Sequence, residues 1–122
     1  MNRGAVALLL VLSATVAAAE DGAALFNRCR GCHSLDPAAA VMAGPSLAGL
    51  IGRKVAGDEK FDYSPVLQQA RDEGRVWTLE ALEKFIADPE AAFPGTWMSR
   101  IPIASALDRQ ALVRFMTDPA SR

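Results

Sequence analysis

One histidine, one tyrosine and two cysteines are all that 122 residues contain of these types. With His33 as its single imidazole, the chain has no histidine pair to hold a metal from both sides. Two thiols and one imidazole also leave the usual four-ligand structural zinc site incomplete. No second histidine and no acid/base pair beside a nucleophile makes up a catalytic set, so an enzyme is not expected. An excess of one charge is missing too. Thirteen Lys and Arg face 14 Asp and Glu, a balance without a nucleic-acid or anionic-membrane footprint. Strand patterns are absent, and with them the βαβ setting that a CxxC thiol–disulfide oxidoreductase needs.

No apolar run reaches the roughly 20 residues of a membrane span. The run from Ala5 to Ala19 is interrupted by Ser13 and Thr15. It reads as a secretory leader: Arg3 supplies the positive start, Ala5 to Val11 with Leu12, Ala14 and Val16 the apolar stretch, and Ala17-Ala18-Ala19 the small residues before a cut. Cleavage is expected before Glu20. The expected organisation is a signal peptide over residues 1–19 and one exported domain over 20–122, with no stable membrane insertion. An uncleaved N-terminal anchor is the alternative.

What is present centres on Cys29-Arg30-Gly31-Cys32-His33. Two cysteines three apart with a histidine directly after form the attachment pattern of a c-type haem. On one helical turn both thiols reach one side and can meet the two vinyl groups of one porphyrin, and the histidine can place a ring nitrogen on the iron. One haem c, covalent through Cys29 and Cys32, is therefore the expected cofactor. A Cys29–Cys32 disulfide in an oxidising compartment is the competing reading.

A content of 51% hydrophobic and 22% charged residues fits one small globular domain. Asp21 to Arg30 reads as a short helix capped by Asp21, with Gly22 and Phe26 on one face. From Asp36-Pro37 to Arg53-Lys54 the chain is irregular and glycine-punctuated, a loop that could bury Leu47 and Leu50 by wrapping a flat cofactor. Ser64-Pro65 reads as a capped helix start, with Val66, Leu67 and Ala70 inward and Gly74 at the end. Thr78 caps a further helix whose inner positions are Leu79, Leu82, Phe85 and Ile86, stopped at Asp88-Pro89. Pro94-Gly95 is a turn. Ser105-x-x-Asp108 opens a last helix with Ala111, Leu112, Phe115 and Met116 as its buried stripe. The expected fold class is all-α: four to five short helices and long loops around one haem.

With no second histidine, a six-coordinate iron needs another donor. Once Met1 is removed the thioethers are Met42, Met98 and Met116. Met42 leaves the ring on the His33 side, and Met116 falls on an apolar helix stripe where methionine packs as core. Met98, after a turn, can project from a loop and is the favoured partner of His33. That pairing raises the reduction potential.

The order of these parts resembles the small class I c-type cytochromes, the mitochondrial cytochrome c and bacterial cytochrome c2 type, over nearly all of residues 21–118. Gly22 and Phe26 match that family's first-helix pair, and Leu112 and Phe115 the last-helix residues they cross. Cys29, Cys32 and His33 match the haem run. Gly44-Pro45-x-Leu47-x-Gly49-Leu50-x-Gly52-Arg53 matches the loop on the histidine side, and Pro94-Gly95-Thr96-x-Met98 the loop bearing the methionine. The resemblance implies that the Pro45 carbonyl accepts a hydrogen bond from His33. It also implies that Arg53, Tyr63, Trp77 and Thr96 hold the haem propionates, and that His33 and Met98 hold the iron.

Two departures stand out. Phe85 sits where the family commonly has a tyrosine near the methionine sulfur. Glu90, Ala91, Ala92, Trp97 and Arg100 fall where mitochondrial members carry lysines, so a strongly positive docking ring is missing. The resemblance implies a soluble, monomeric one-electron carrier whose partners are redox proteins: a membrane oxidase or reductase complex and a periplasmic dehydrogenase. The alternatives are a haem protein with an open sixth position, acting as peroxidase or gas-ligand binder, and a cytochrome subunit of a larger dehydrogenase complex.

Overall fold

A computed structural model describes residue 1 and residues 13–122. Arg3 and the apolar stretch from Ala5 to Leu12 of the expected leader lie outside the described residues. Among the described residues five helices follow in order: α1 Gly22–Phe26, α2 Pro65–Asp72, α3 Leu79–Ala87, α4 Pro89–Ala92 and α5 Ala106–Thr117, with a 3-10 turn at Pro119–Ser121. Among the described residues no helix is long and apolar enough to cross a membrane.

Four of the five helices are capped at their start by a side chain, α4 by Asp88, which accepts from Ala91 N–H. The Asp21 carboxylate accepts from Ala23 N–H, Thr78 Oγ1 from Ala81 N–H, and Ser105 Oγ from Asp108 N–H, each satisfying a donor that a first turn leaves open. Ser64 departs from expectation. Helix α2 does begin at Pro65, but the Ser64 hydroxyl makes no cap bond and is buried without a partner.

Helix α1 is shorter than the sequence suggests. It ends at Phe26, and residues 27–32 continue as turns through tight bonds such as Arg28 N–H to Leu25 C=O at 3.1 Å. Asp88-Pro89 stops α3 and at once caps α4, a helix the apolar periodicity did not reveal because a single turn has no period. Leu79 was expected inward but is exposed, since the first turn of α3 precedes its contact with the core; Val113, not expected, is buried.

The helices meet where α1 crosses α5. A Cβ on Gly22 would stand 2.5 Å from the Ala111 carbonyl oxygen and 2.8 Å from Phe115 Cβ, so only glycine permits this approach. The Phe26 and Phe115 rings then pack 5.6 Å apart, beside fully buried Leu25 and Leu112. The long loop is pinned to the strand-like segment before α3. Gly52 N–H donates to Trp77 C=O at 2.8 Å, Trp77 N–H to Arg53 C=O at 2.9 Å and Val55 N–H to Arg75 C=O at 2.9 Å, around one isolated antiparallel bridge between Lys54 and Val76. These bonds give the loop's buried backbone its partners. Residues of α2, α3 and α5, together with this loop, surround a space.

Candidate functional site

That space is a cavity of about 410 Å³, partly open to solvent and walled mainly by apolar side chains. Its first wall is the cysteine–histidine run. The turns after α1 bond Cys32 N–H and His33 N–H to the Cys29 carbonyl at 3.1 and 2.9 Å. Cys29, Cys32 and His33 all line the cavity, and neither thiol is in a disulfide. Burial pushes the Cys29 thiol above its ordinary pKa, against an opposing pull from Arg28.

His33 is fixed by its neighbours. Its Nδ1 lies 2.8 Å from the Pro45 carbonyl oxygen. A carbonyl only accepts, so Nδ1 carries the proton. Burial holds the ring below its usual pKa, outweighing the Pro45 bond. A neutral ring protonated on Nδ1 leaves the Nε2 lone pair free, the state in which imidazole binds a metal. Gly44 packs against the ring itself: a Cβ there would stand 2.7 Å from Nδ1 and 2.8 Å from Nε2.

Another part of the lining comes from the loop after α4. Phe93 C=O accepts from Thr96 N–H at 3.0 Å across Pro94-Gly95, with Gly95 at φ +88°, the turn that a Pro-Gly pair favours. Thr96, Trp97 and half-buried Met98 then line the cavity. Met42 does not line it and is exposed. Met116 is core, as expected, but also forms part of the cavity wall. The floor is aromatic. Trp77 packs 5.3 Å from Phe85 and 6.0 Å from Phe93.

One feature of the lining shows what the cavity suits. Four buried side-chain polar atoms have no partner among the described residues: Arg53 Nε, Ser64 Oγ, Thr96 Oγ1 and Arg109 Nε. The first three belong to residues of this one cavity. Arg53 spends its other nitrogens on the loop, Nη1 to Ala48 C=O at 3.1 Å and Nη2 to Ser46 C=O at 2.7 Å. Tyr63, whose hydroxyl accepts from Asp58 N–H at 3.4 Å, lines the same region. Burial raises its phenol pKa. Buried donors left open cost free energy, and a flat apolar group with an anionic edge would satisfy them. The residues therefore fit a haem.

Of the residues expected from sequence, Cys29, Cys32, His33, Pro45, Arg53, Tyr63, Trp77, Thr96 and Met98 all line this cavity. Sequence reasoning missed two. Ser64 was read as a cap because Ser-Pro is a common helix start, and nothing local distinguishes the two uses. Gly44 was seen as part of a motif without a role. Its place before Pro45 was the available signal.

A covalent-haem cavity formed by short helices defines a class of protein, the c-type cytochromes. No family model matches the chain. It is 35% identical over 100 residues to cytochrome c2 of Agrobacterium tumefaciens (strain II Chrys), covering 82% of this chain and 90% of that protein. Among solved structures it is similar to cytochrome c2 from Rhodospirillum centenum, with a TM-score of 0.71, 28% identity and coverage of 78% and 92%. Ferricytochrome c2 from Rhodopseudomonas palustris gives a TM-score of 0.69, 32% identity and coverage of 80% and 96%. The chain belongs to the class I c-type cytochromes of the cytochrome c2 type. It is all-α, an electron-carrier haem protein, and its cofactor is haem c joined through Cys29 and Cys32.

Proposed function

We propose that the protein is a periplasmic one-electron carrier whose iron is held by His33 and Met98. The observation that carries this reading is the shared cavity. His33, with Nδ1 committed to Pro45 and Nε2 left over, and Met98, on the loop after α4, line one cavity with both thiols. When bound, the haem takes up and releases a single electron. The chain's own residues keep that step simple. Pro45 holds the imidazole in one tautomer, Gly44 fixes the ring's tilt, and the apolar walls exclude water. If His33 and Met98 both hold the iron, the chain's own residues would leave no place there for a substrate.

The contacts expected around the propionates belong to the same reading. Arg53, Tyr63, Trp77 and Thr96 meet the propionates; the open donors of Arg53 and Thr96 support this, and Ser64 joins them. The leader over residues 1–19 is cut before Glu20, and residues 20–122 work as a monomer. Its partners are a membrane oxidase or reductase complex and a periplasmic dehydrogenase. Trp97, largely exposed where it lines the cavity, stands in place of docking charge, so encounter relies little on electrostatic steering.

A visible spectrum of the exported protein, with a pyridine haemochrome assay, tests the reading. Ferric protein should show the weak band at the red edge of the visible that marks iron–thioether ligation, and Met98→Ala should lose it. A wild-type protein without that band would favour the open-site peroxidase or gas binder.

A further inference from the structure

The stretch that follows Met98 has almost no structure of its own. Between Trp97 and Ala104 it makes one backbone–backbone bond, Ile103 N–H to Ile101 C=O at 2.8 Å. Yet three consecutive carbonyls in it are taken by two arginines from different parts of the fold. Arg28, next to Cys29, donates through Nη1 to Pro102 C=O at 3.0 Å. Arg109, on the second turn of α5, donates through Nη1 to Ile103 C=O at 3.0 Å and to Ala104 C=O at 2.7 Å. Neither guanidinium is committed to a close ion pair. Arg28 has only Glu20 at 3.7 Å, and Arg109 has none among the described residues.

We infer that Arg28 and Arg109 form a clamp on carbonyls 102–104 that positions the Met98 loop. The inference rests on the His33/Met98 reading above. The geometry is specific. Arg28 lines the cavity itself and sits one residue before the first attachment cysteine, so it ties the loop to the histidine-side wall. Arg109 ties the same loop to α5, which carries the Gly22 and Phe26 crossing. Charged donors make stronger bonds than neutral ones, and a guanidinium holds its donors in a rigid planar array where an ammonium on a flexible stem lets them rotate. The pair thus acts on the iron through the loop. It sets how readily the loop lifts and opens the sixth position to another ligand.

The measurement is exogenous imidazole binding to the ferric haem-loaded protein, read as bleaching of the red-edge band. Arg28→Met should raise imidazole affinity by about tenfold, the loss of one charge-assisted bond of roughly 1.4 kcal/mol. Arg109→Met should do at least as much, and Arg28→Lys should restore part of the effect. A variant that lowers thermal stability but leaves imidazole affinity unchanged would overturn the clamp and leave a plain packing role. If the wild type has no red-edge band, the Met98 reading falls by itself. The clamp is then judged on amide hydrogen exchange of the same samples: faster exchange confined to residues 98–104 in Arg28→Met supports it, and unchanged exchange there overturns it. Arg28 is part-exposed at 41% of its side chain, so its variant is the one that folds if Arg109→Met does not.

Discussion

The Nδ1–H of His33 donates to the Pro45 carbonyl at 2.8 Å while the residue before Pro45, Gly44, lies against the same imidazole. The two contacts come from one short segment, so ring tautomer and ring tilt are fixed together. Gly44→Ala would press a methyl into the ring, 2.7 Å from Nδ1. Overpacking of this kind costs about 1–3 kcal/mol, and here it also displaces the hydrogen bond. We expect the haem-loaded variant to lose that much in denaturant unfolding and to show altered iron absorption. Wild-type stability and spectrum together would contradict the geometry.

Gly22→Ala tests the crossing of α1 and α5. The new Cβ would stand 2.5 Å from a backbone oxygen of α5, which yields far less easily than a side-chain end. The overpacking cost of about 2–3 kcal/mol exceeds the roughly 1 kcal/mol that alanine gains over glycine in a helix. A net loss of about 1–2 kcal/mol is expected in thermal or chemical unfolding. A stabilised variant would mean that the helices do not pack this closely.

Tyr63 is the chain's one tyrosine, so any phenolate absorbance belongs to it. Burial raises its pKa above the ordinary value near 10, outweighing the pull of the Asp58 N–H bond and of Arg53. The folded state then holds the proton more tightly than the unfolded one. Its contribution to stability is complete below pH about 10 and is lost as pH rises through the folded value. In an alkaline titration of the folded protein the phenolate band should appear above pH about 10. A midpoint below that would show a phenol less buried than described.

Phe85 offers a test of the iron's electronics. Its ring lines the cavity, packed 5.3 Å from Trp77 and 5.7 Å from Phe93. Phe85→Tyr would add a hydroxyl donor inside the cavity, and hydrogen bonds around an axial ligand tune its potential. Protein-film voltammetry should record a shifted midpoint. An unchanged one would place the Phe85 edge away from the sulfur.

Much of the site was readable from residues because its rules are local. Cys29, Cys32 and His33 act through fixed spacing on a turn, Pro94-Gly95 through turn chemistry, and Thr78 and Ser105 through caps that reach only three residues ahead. The same local rules misled at Ser64, whose hydroxyl looks like a cap in sequence but stays open beside the cavity, and at Leu79, which has helical spacing but no partner helix over it. Helix α4 was too short to show a period.

By itself, then, the sequence determined the attachment run, the order of helices and loops and the set of sulfur donors to choose from. The tertiary structure decided which side chains share one cavity, that Gly44 and Gly22 are closed to any Cβ, and that Arg28 and Arg109, 81 residues apart in the chain, hold neighbouring carbonyls of one loop. Those relations depend on distances between segments remote in sequence, and packing alone sets such distances.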